Sequence, residues 1–486
     1  MLTQPDPGLI NDDLAPTPPE GRTWKVRHMA SLWIGMVVCV PTYMLAGGLI
    51  DLGMNWWQAV CTVLLGNAIV LIPMLLNGHA GTKYGIPFPV LSRASFGIRG
   101  AHVPSILRAL VACGWFGIQT WIGGSAIYQL VNALANDLLI GPDVAWLGIS
   151  RGELLCFGAF WVLQVIILLR GIESIRVLET WAAPFLIALG LALLGWAYIQ
   201  ADGFGAMLST PSAFDPGGAK EGQFMSTFLP GLTGMVGFWA TLSLNIPDFT
   251  RYAKSQRDQM LGQAIGLPLF MTLFAFIGVA VTSATVVIYG EAIPDPTVLA
   301  GRMGGGLAVV VSLCALVVAT LSTNIAANVV SPANAIMNLA PRKASFRIGA
   351  MITAGIGVVI FPWKLIESTD GYIFTWLIGY SALLGPIGGI VIIDYFVVRR
   401  TQLDLEGLYR MDGPYRYFRG VNLVAILALA LGVLPNLPGF LVAAQGLEVQ
   451  NFWTNLYQYA WFVGFGISAT TYWLGMHLTR RVPRAR

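Results

Sequence analysis

Trp115 and Gln119 stand four residues apart in the uncharged stretch Trp115-Phe116-Gly117-Ile118-Gln119-Thr120-Trp121. On a helix that spacing puts both side chains on one face. An indole beside a carboxamide can receive a flat ring bearing N–H and C=O groups: the ring stacks on the indole and the amide pairs with its edge. The pair would serve equally well as helix packing around one satisfied glutamine. A second polar cluster runs Ala319-Thr320-Leu321-Ser322-Thr323-Asn324-Ile325-Ala326-Ala327-Asn328. The adjacent hydroxyls of Ser322 and Thr323, with the Ala319 carbonyl nearby, are hard neutral oxygen ligands suited to a small alkali cation. Asn324 and Asn328, again four apart, continue one face. Ser, Thr and Asn also hydrogen-bond between helices in lipid, and that reading stays open.

Other chemistries find little to work with. Asp248, Glu173, Glu179 and Asp394 fall near the ends of apolar runs, where Arg251, Arg170, Arg176 and Arg399 are their expected partners. This argues against a carboxylate proton relay and toward a cation held by neutral oxygens. His28, His79, His102 and His477 show no metal-ligand spacing, and no GxSxG, HExxH or Walker A string occurs. The five cysteines, at 39, 61, 113, 156 and 314, have no CxxC spacing and are expected to be small buried thiols.

The elements that must position these residues follow from composition. Of 486 residues 56% are hydrophobic and 11% charged, with mean hydropathy +0.69; soluble domains are about a quarter charged. Lipid must therefore be the solvent. Apolar runs long enough for a bilayer begin near Met29, Trp56, Val103, Leu154, Ala182, Phe228, Ala264, Leu307, Ile348, Tyr372, Val421 and Leu456. Each must be a helix, because lipid offers no partners to open backbone groups. Residues 1 to 21 lack an apolar h-region, so the first run is expected to be an uncleaved span.

Basic residues orient the chain, since cytoplasmic loops carry them in excess. With the N-terminus cytoplasmic, all but four of the 28 Lys and Arg fall on the inner side, the exceptions being Arg151, Lys220, Arg302 and Lys364. The formal charge of +4 and pI near 8.8 are thus assigned to loops facing an anionic leaflet rather than to nucleic acid. Trp56, Trp57, Trp363, Trp453 and Trp461 are expected to form an aromatic belt at the span ends.

Two spans carry Gly and Pro where a helix would break: Trp33 to Tyr43 in the first and Pro230 to Ala240 in the sixth. Broken helices at matching places in two halves expose backbone polar groups at mid-membrane. Lying five spans apart, they predict a five-plus-five inverted repeat with two helices left over. The tenth span, with Gly371, Gly379, Gly385-Pro386 and Gly388-Gly389, is expected to bend or swing, or else to pack closely through its small residues.

These strings resemble the nucleobase:cation symporter family one, whose bacterial members include allantoin permeases and a hydantoin transporter. The likeness runs from Arg22 to about Arg419. It rests on Leu76-Asn77-Gly78-His79-Ala80-Gly81-Thr82-Lys83-Tyr84-Gly85-Ile86-Pro87-Phe88-Pro89, on Trp115 to Thr120, and on Leu244-Asn245-Ile246-Pro247-Asp248-Phe249-Thr250-Arg251. Ser322 to Asn328, Ser331-Pro332 and Asp394-Tyr395-Phe396 complete it.

The resemblance implies an all-α integral membrane protein of about twelve spans with the LeuT-like inverted repeat. Its expected parts are a cytoplasmic tail (1–28), a first repeat (29–200), a second repeat (201–400), two further spans (401–478) and a C-terminal tail (479–486). It further implies that Trp115 and Trp239 sandwich a substrate ring, that Gln119, Asn328 and Asn324 bond its amide edge, and that Phe238 and Gly379 border the pocket. Where relatives place Gln or Asn in the first break this sequence has Cys39, which removes a carboxamide from the pocket wall. The implied sodium site comprises carbonyls of Gly35, Val38 and Ala319 and hydroxyls of Ser322 and Thr323.

The expected function is import of a small planar nitrogen heterocycle (allantoin, hydantoin or uracil type) by symport with Na+, otherwise H+. The expected location is the cell inner membrane, with both termini cytoplasmic, no cofactor beyond the coupling ion and no obligate protein partner. The competing classes are an integral-membrane enzyme acting on a lipid, which would need clustered acids or histidines, and a passive channel.

Overall fold

Several helix starts are written locally in the sequence. Asn55 and Gln58 cap the second span reciprocally, each side chain accepting the other's backbone N–H at 3.1 Å, and Gly85 closes it in the left-handed conformation. Ser255, Ser345, Asn422 and Asn451 cap later helices, each side chain accepting a backbone N–H. The computed structural model describes residues 5–135, 137–170, 172–303, 306–447 and 449–479, with the side chains of 170, 172–183, 307–308 and 326 outside the description.

Twelve helical spans follow in order. The first is Val26–Val37 with Val40–Asp51, bent by 59°. Trp56–Tyr84, His102–Leu134, Arg151–Arg170 and Ile172–Gln200 complete the first five. The sixth is Phe224–Phe238 with Ala240–Asn245, and the seventh Gln256–Tyr289. The eighth is Leu307–Asn328 with Val330–Leu339, the ninth Phe346–Val359 and the tenth Gly371–Val398. Leu423–Ala444 and Phe452–Tyr457 with Ala460–Leu478 are the last two. Among the described residues seven of these are long and apolar enough to cross a bilayer unbroken, or eight with the bent pair. Pro184–Gln200, Phe224–Phe238 and Phe346–Val359 are shorter apolar helices by the same measure.

Spans one to five and six to ten form the five-plus-five inverted repeat. The equivalent third and eighth spans pack along one another, and the fourth packs on the ninth. Both expected breaks are present. The first falls at Val38-Cys39 and the second at Trp239 alone, whose φ of −100° and ψ of 5° interrupt the sixth span.

The two ends of the bundle differ in charge as the sequence requires. At one end Arg22 Nη1 donates to the Thr82 carbonyl at 3.1 Å, Lys83 Nζ to the Thr401 carbonyl at 2.7 Å and Arg93 Nη1 to the Leu408 carbonyl at 3.0 Å. At the other, Lys220 Nζ donates to the Leu52 carbonyl at 2.9 Å, Thr369 Oγ1 to Asp51 Oδ2 at 2.6 Å, and Arg302 pairs with Glu291.

Several sequence expectations need correction. The N-terminal segment is docked: Leu9 and Leu14 are buried, and Arg251 donates to the Asp13 and Ala15 carbonyls and to Thr17 Oγ1, so its hydrogen bonds go there rather than to Asp248. Asp394 and Arg399 do pair, at 2.7 Å and almost fully buried, with Tyr472 donating to the carboxylate and Tyr417 taking another guanidinium N–H. The expected pairs Glu173 with Arg170 and Glu179 with Arg176 lie outside the described side chains. Trp57 and Trp453 face outward as belt residues, whereas Trp363 and Trp461 are buried, because Trp363 Nε1 bonds the Leu147 carbonyl and Trp461 stacks on Phe465. Cys61 and Cys314 are exposed on the outside of the bundle, where lipid rather than protein covers them.

The long strings that carry the family resemblance clasp one another. Thr250 Oγ1 donates to the Gly78 carbonyl at 2.9 Å, Thr82 Oγ1 to the Thr250 carbonyl at 3.0 Å and Asn77 Nδ2 to the Ser243 carbonyl at 2.6 Å. A Cβ on Gly81 would overlap Thr250 and lie 2.8 Å from Cα of Pro247. Only glycine lets the second and sixth spans meet this closely.

Candidate substrate and cation sites

Beside the two breaks, aromatic rings converge. Trp115, 5% exposed, meets Phe238 edge-on with centroids 5.1 Å apart, and lies 5.9 Å from Trp376, 6.2 Å from Tyr372 and 6.3 Å from Tyr380. Trp239 packs on the other side of Phe238, with centroids 4.9 Å apart, its Nε1 bonded to Met271 Sδ at 2.9 Å and its ring 5.2 Å from Trp33. Phe238 thus stands between the two indoles. Trp115 is held toward the tenth span because Gly114, one residue earlier, leaves room for the Trp376 ring; a Cβ there would overlap it.

The polar atoms of this box are notable for what they lack. Gln119 is 5% exposed, and its Oε1 is buried without a hydrogen-bond partner; so are Trp376 Nε1 and the Tyr380 hydroxyl. Each such atom costs about 1–3 kcal/mol. Each is a buried donor or acceptor left over for a planar molecule with C=O and N–H groups on its edge.

The other expected substrate residues separate into distinct placements. Asn324 turns away from the box: its Nδ2 reaches the Phe116 carbonyl at 2.9 Å and Gln164 Oε1 at 2.7 Å, and Gln164 Nε2 reaches Thr120 Oγ1 at 2.9 Å. It buckles the third, fourth and eighth spans together. Asn328, buried at 7% exposure, donates to Asn324 Oδ1 at 3.0 Å and keeps its own carbonyl oxygen available. Gly379 faces the eleventh and twelfth spans, where a Cβ would lie 2.8 Å from Phe440 and 3.4 Å from the Tyr457 hydroxyl. Tyr372, Trp376 and Tyr380 form the tenth span's wall instead. Their aromatic rings recur every four residues, a helical stripe that is present in the sequence itself. Cys39 lies buried in the first break with Sγ 3.3 Å from Thr42 Oγ1.

The first break also rearranges backbone donors. In an unbroken helix the Cys39 N–H would bond the Gly35 carbonyl and the Thr42 N–H the Val38 carbonyl. Instead Cys39 donates to Val37 at 3.0 Å and Thr42 to Cys39 at 3.1 Å, so the Gly35 and Val38 carbonyls lose those ladder donors. The Val26–Val37 half of this span packs on the eighth. There Ser322 Oγ is buried and unpartnered, while Thr323 Oγ1 donates to the Ala319 carbonyl at 3.1 Å. Hard neutral oxygens of this kind fit an alkali cation.

A bundle with two paired helix breaks, an aromatic box and unsatisfied polar atoms beside them is a membrane carrier. Residues 16–464 match the family of permeases for cytosine/purines, uracil, thiamine and allantoin, and the chain belongs to that family. It is 50% identical to the purine-uracil permease NCS1 of Arabidopsis thaliana over 98% of this chain and 79% of the relative. It is 42% identical to the allantoin permease of Bacillus subtilis over 96% of this chain and 92% of the relative. The solved structure of Mhp1, a nucleobase-cation-symport-1 family transporter, superposes in its inward-facing conformation with TM-score 0.78 at 27% identity, covering 98% of this chain and 95% of Mhp1. A closed Mhp1 structure with bromovinylhydantoin bound gives 0.76, covering 98% and 97%. The chain is therefore a multi-pass membrane transporter and not an enzyme.

Proposed function

We propose that this permease imports a neutral planar heterocycle with an amide or imide edge, of the uracil, oxopurine, allantoin or hydantoin kind, together with a sodium ion. The single observation that carries the reading is Gln119: a buried carboxamide oxygen without a partner, one helical turn from Trp115 and its ring neighbours. Trp115 supplies a stacking face, Gln119 and Asn328 pair with the ring's edge, and Trp376 and Tyr380 offer donors to its carbonyl oxygens.

Mechanism follows from what must move. Phe238 fills the gap between Trp115 and Trp239, so a ring enters as Phe238 and the tenth-span aromatics withdraw. The π-helical turn at Gly371–Leu377 gives that span the irregular backbone such a motion needs. The Gly35, Val38 and Ala319 carbonyls with the Ser322 and Thr323 hydroxyls would hold sodium. Its charge would sit against a break that borders the box, so ion and ring stabilise the same arrangement of the first and eighth spans. Coupling is then a matter of shared elements rather than direct contact.

The basic end of the bundle faces the cytoplasm of the cell inner membrane and carries the N-terminal segment. The chain works without an obligate protein partner. Uptake of radiolabelled uracil, hypoxanthine, allantoin and a 5-substituted hydantoin, with sodium replaced by choline in parallel, tests the reading. Saturable, sodium-stimulated uptake of at least one ring is expected; no saturable uptake of any of them rejects it.

A further inference from the structure

Arg108 belongs to the third span, seven residues before Trp115. That is two helical turns, about 10 Å, toward the basic end and on the same face of the helix. As one of the positive charges it reads in sequence as a loop residue, yet it is 2% exposed. Its Nη2 donates to Asn245 Oδ1 at 3.0 Å, while Nε and Nη1 are buried with no hydrogen-bond partner. Asn245 ends the inner half of the sixth span, six residues after Trp239.

The Asn245 amide continues to Asp248, Nδ2 lying 3.4 Å from Oδ2. Among the described residues that oxygen otherwise receives a 3.5 Å contact from Ser331 Oγ on the eighth span, whereas Oδ1 is fixed by the Phe88 N–H at 2.7 Å. A carboxamide is therefore held with its carbonyl toward a guanidinium and its N–H toward a carboxylate. Two further guanidinium donors stand idle beside it.

A buried arginine with unused donors is costly in a membrane bundle and marks a functional place. The group its one engaged donor already holds is a neutral carbonyl oxygen, Asn245 Oδ1. A neutral C=O beside an N–H gains both partners, as the Asn245 side chain already demonstrates. The groups come from the third, sixth and eighth spans, which also carry Trp115, Phe238 and Asn328.

We propose that Arg108 and Asp248, with Asn245 as the resident carboxamide, form an inner staging site that takes the amide edge of the cargo ring between the aromatic box and the cytoplasm. The inference rests on the cargo class given above. A ring leaving Gln119 exchanges one amide partner for another about three turns further on, which lowers the barrier to release.

The test uses the full chain in proteoliposomes of known orientation, with influx and efflux of radiolabelled uracil and allantoin measured from each face. For Arg108→Gln and Asp248→Asn the KM from the basic face is expected to rise tenfold or more. The KM from the opposite face, and equilibrium quenching of tryptophan fluorescence by the ring, are expected to stay within twofold. An inner-face KM within twofold of the parent, or equal weakening from both faces, overturns the inference. If Arg108→Gln does not reach the membrane, Arg108→Lys, which keeps the charge but loses the fork of donors, is judged by the same two values. Failure of the cargo reading is recognised separately, as a parent protein without saturable flux of either ring.

Discussion

Phe238 meets Trp115 edge-on at 5.1 Å and Trp239 edge-on at 4.9 Å, so a single phenyl ring separates the two indoles expected to close on a cargo ring. Its backbone ends the outer half of the sixth span and Trp239 is the break itself. Rotation about that break would move Phe238 and Trp239 together. The geometry ties access to the box to the backbone of the sixth span.

Trp115→Ala is expected to weaken ring binding by about 1–3 kcal/mol, the usual cost of a lost stacking partner. Trp115→Phe should recover much of it. Isothermal titration of the purified protein with the transported ring measures this directly, and an unchanged Kd for the alanine variant would remove Trp115 from the site.

Gln119→Leu separates stability from function. The parent carries a buried oxygen with no partner, so an apolar side chain of similar size should leave the thermal midpoint unchanged or raise it. Ring affinity should nevertheless fall tenfold or more. A variant that binds normally would mean the glutamine serves packing alone.

Ser322→Ala and Thr323→Ala are each expected to raise the sodium concentration for half-maximal uptake by about tenfold, since a charge-assisted oxygen contact contributes about 1.5–3 kcal/mol. Thr323→Ser, which keeps the hydroxyl, should remain near the parent. Sodium titration of uptake at fixed ring concentration reads the difference; if only expression changes, these hydroxyls are packing groups.

Asn324→Ala and Asn328→Ala should behave differently although they are one turn apart. Removing Asn324 strands Gln164 Oε1 and the Asn328 amide, and is expected to cost about 1–3 kcal/mol of stability, seen as a lower thermal midpoint in detergent. Removing Asn328 should leave stability closer to the parent and weaken the ring more than the cation. Equal loss of binding in both variants would argue that Asn324 also touches the cargo.

Arg399→Met should destabilise the protein by about 3–5 kcal/mol, because it leaves the Asp394 carboxylate buried without its counter-charge. Combining it with Asp394→Leu is expected to restore part of that loss. Thermal unfolding of the two variants and the double variant forms the required cycle, and additive losses would rule out a coupled pair.

Apolar runs, cap residues and the asymmetry of lysine and arginine made the twelve spans and the two ends of the bundle legible in the amino-acid string. These are local or one-dimensional signals: lipid requires helices, capping acts over three or four residues, and loop charge needs no tertiary contact. The two breaks were readable for the same reason, since Gly and Pro act on their own backbone.

Tertiary structure alone decided which polar side chain faces which neighbour. Asn324 and Asn328 share a spacing with Trp115 and Gln119, but partners on the third and fourth spans commit Asn324 to packing. Trp376 and Tyr380 became part of the box only when the tenth span was laid beside Trp115. Arg108 and Arg251 are indistinguishable as loop charges in sequence. Packing buried one under the N-terminal segment, whose carbonyls fill its donors, and enclosed the other with two nitrogens left over, because partners come from more than a hundred residues away.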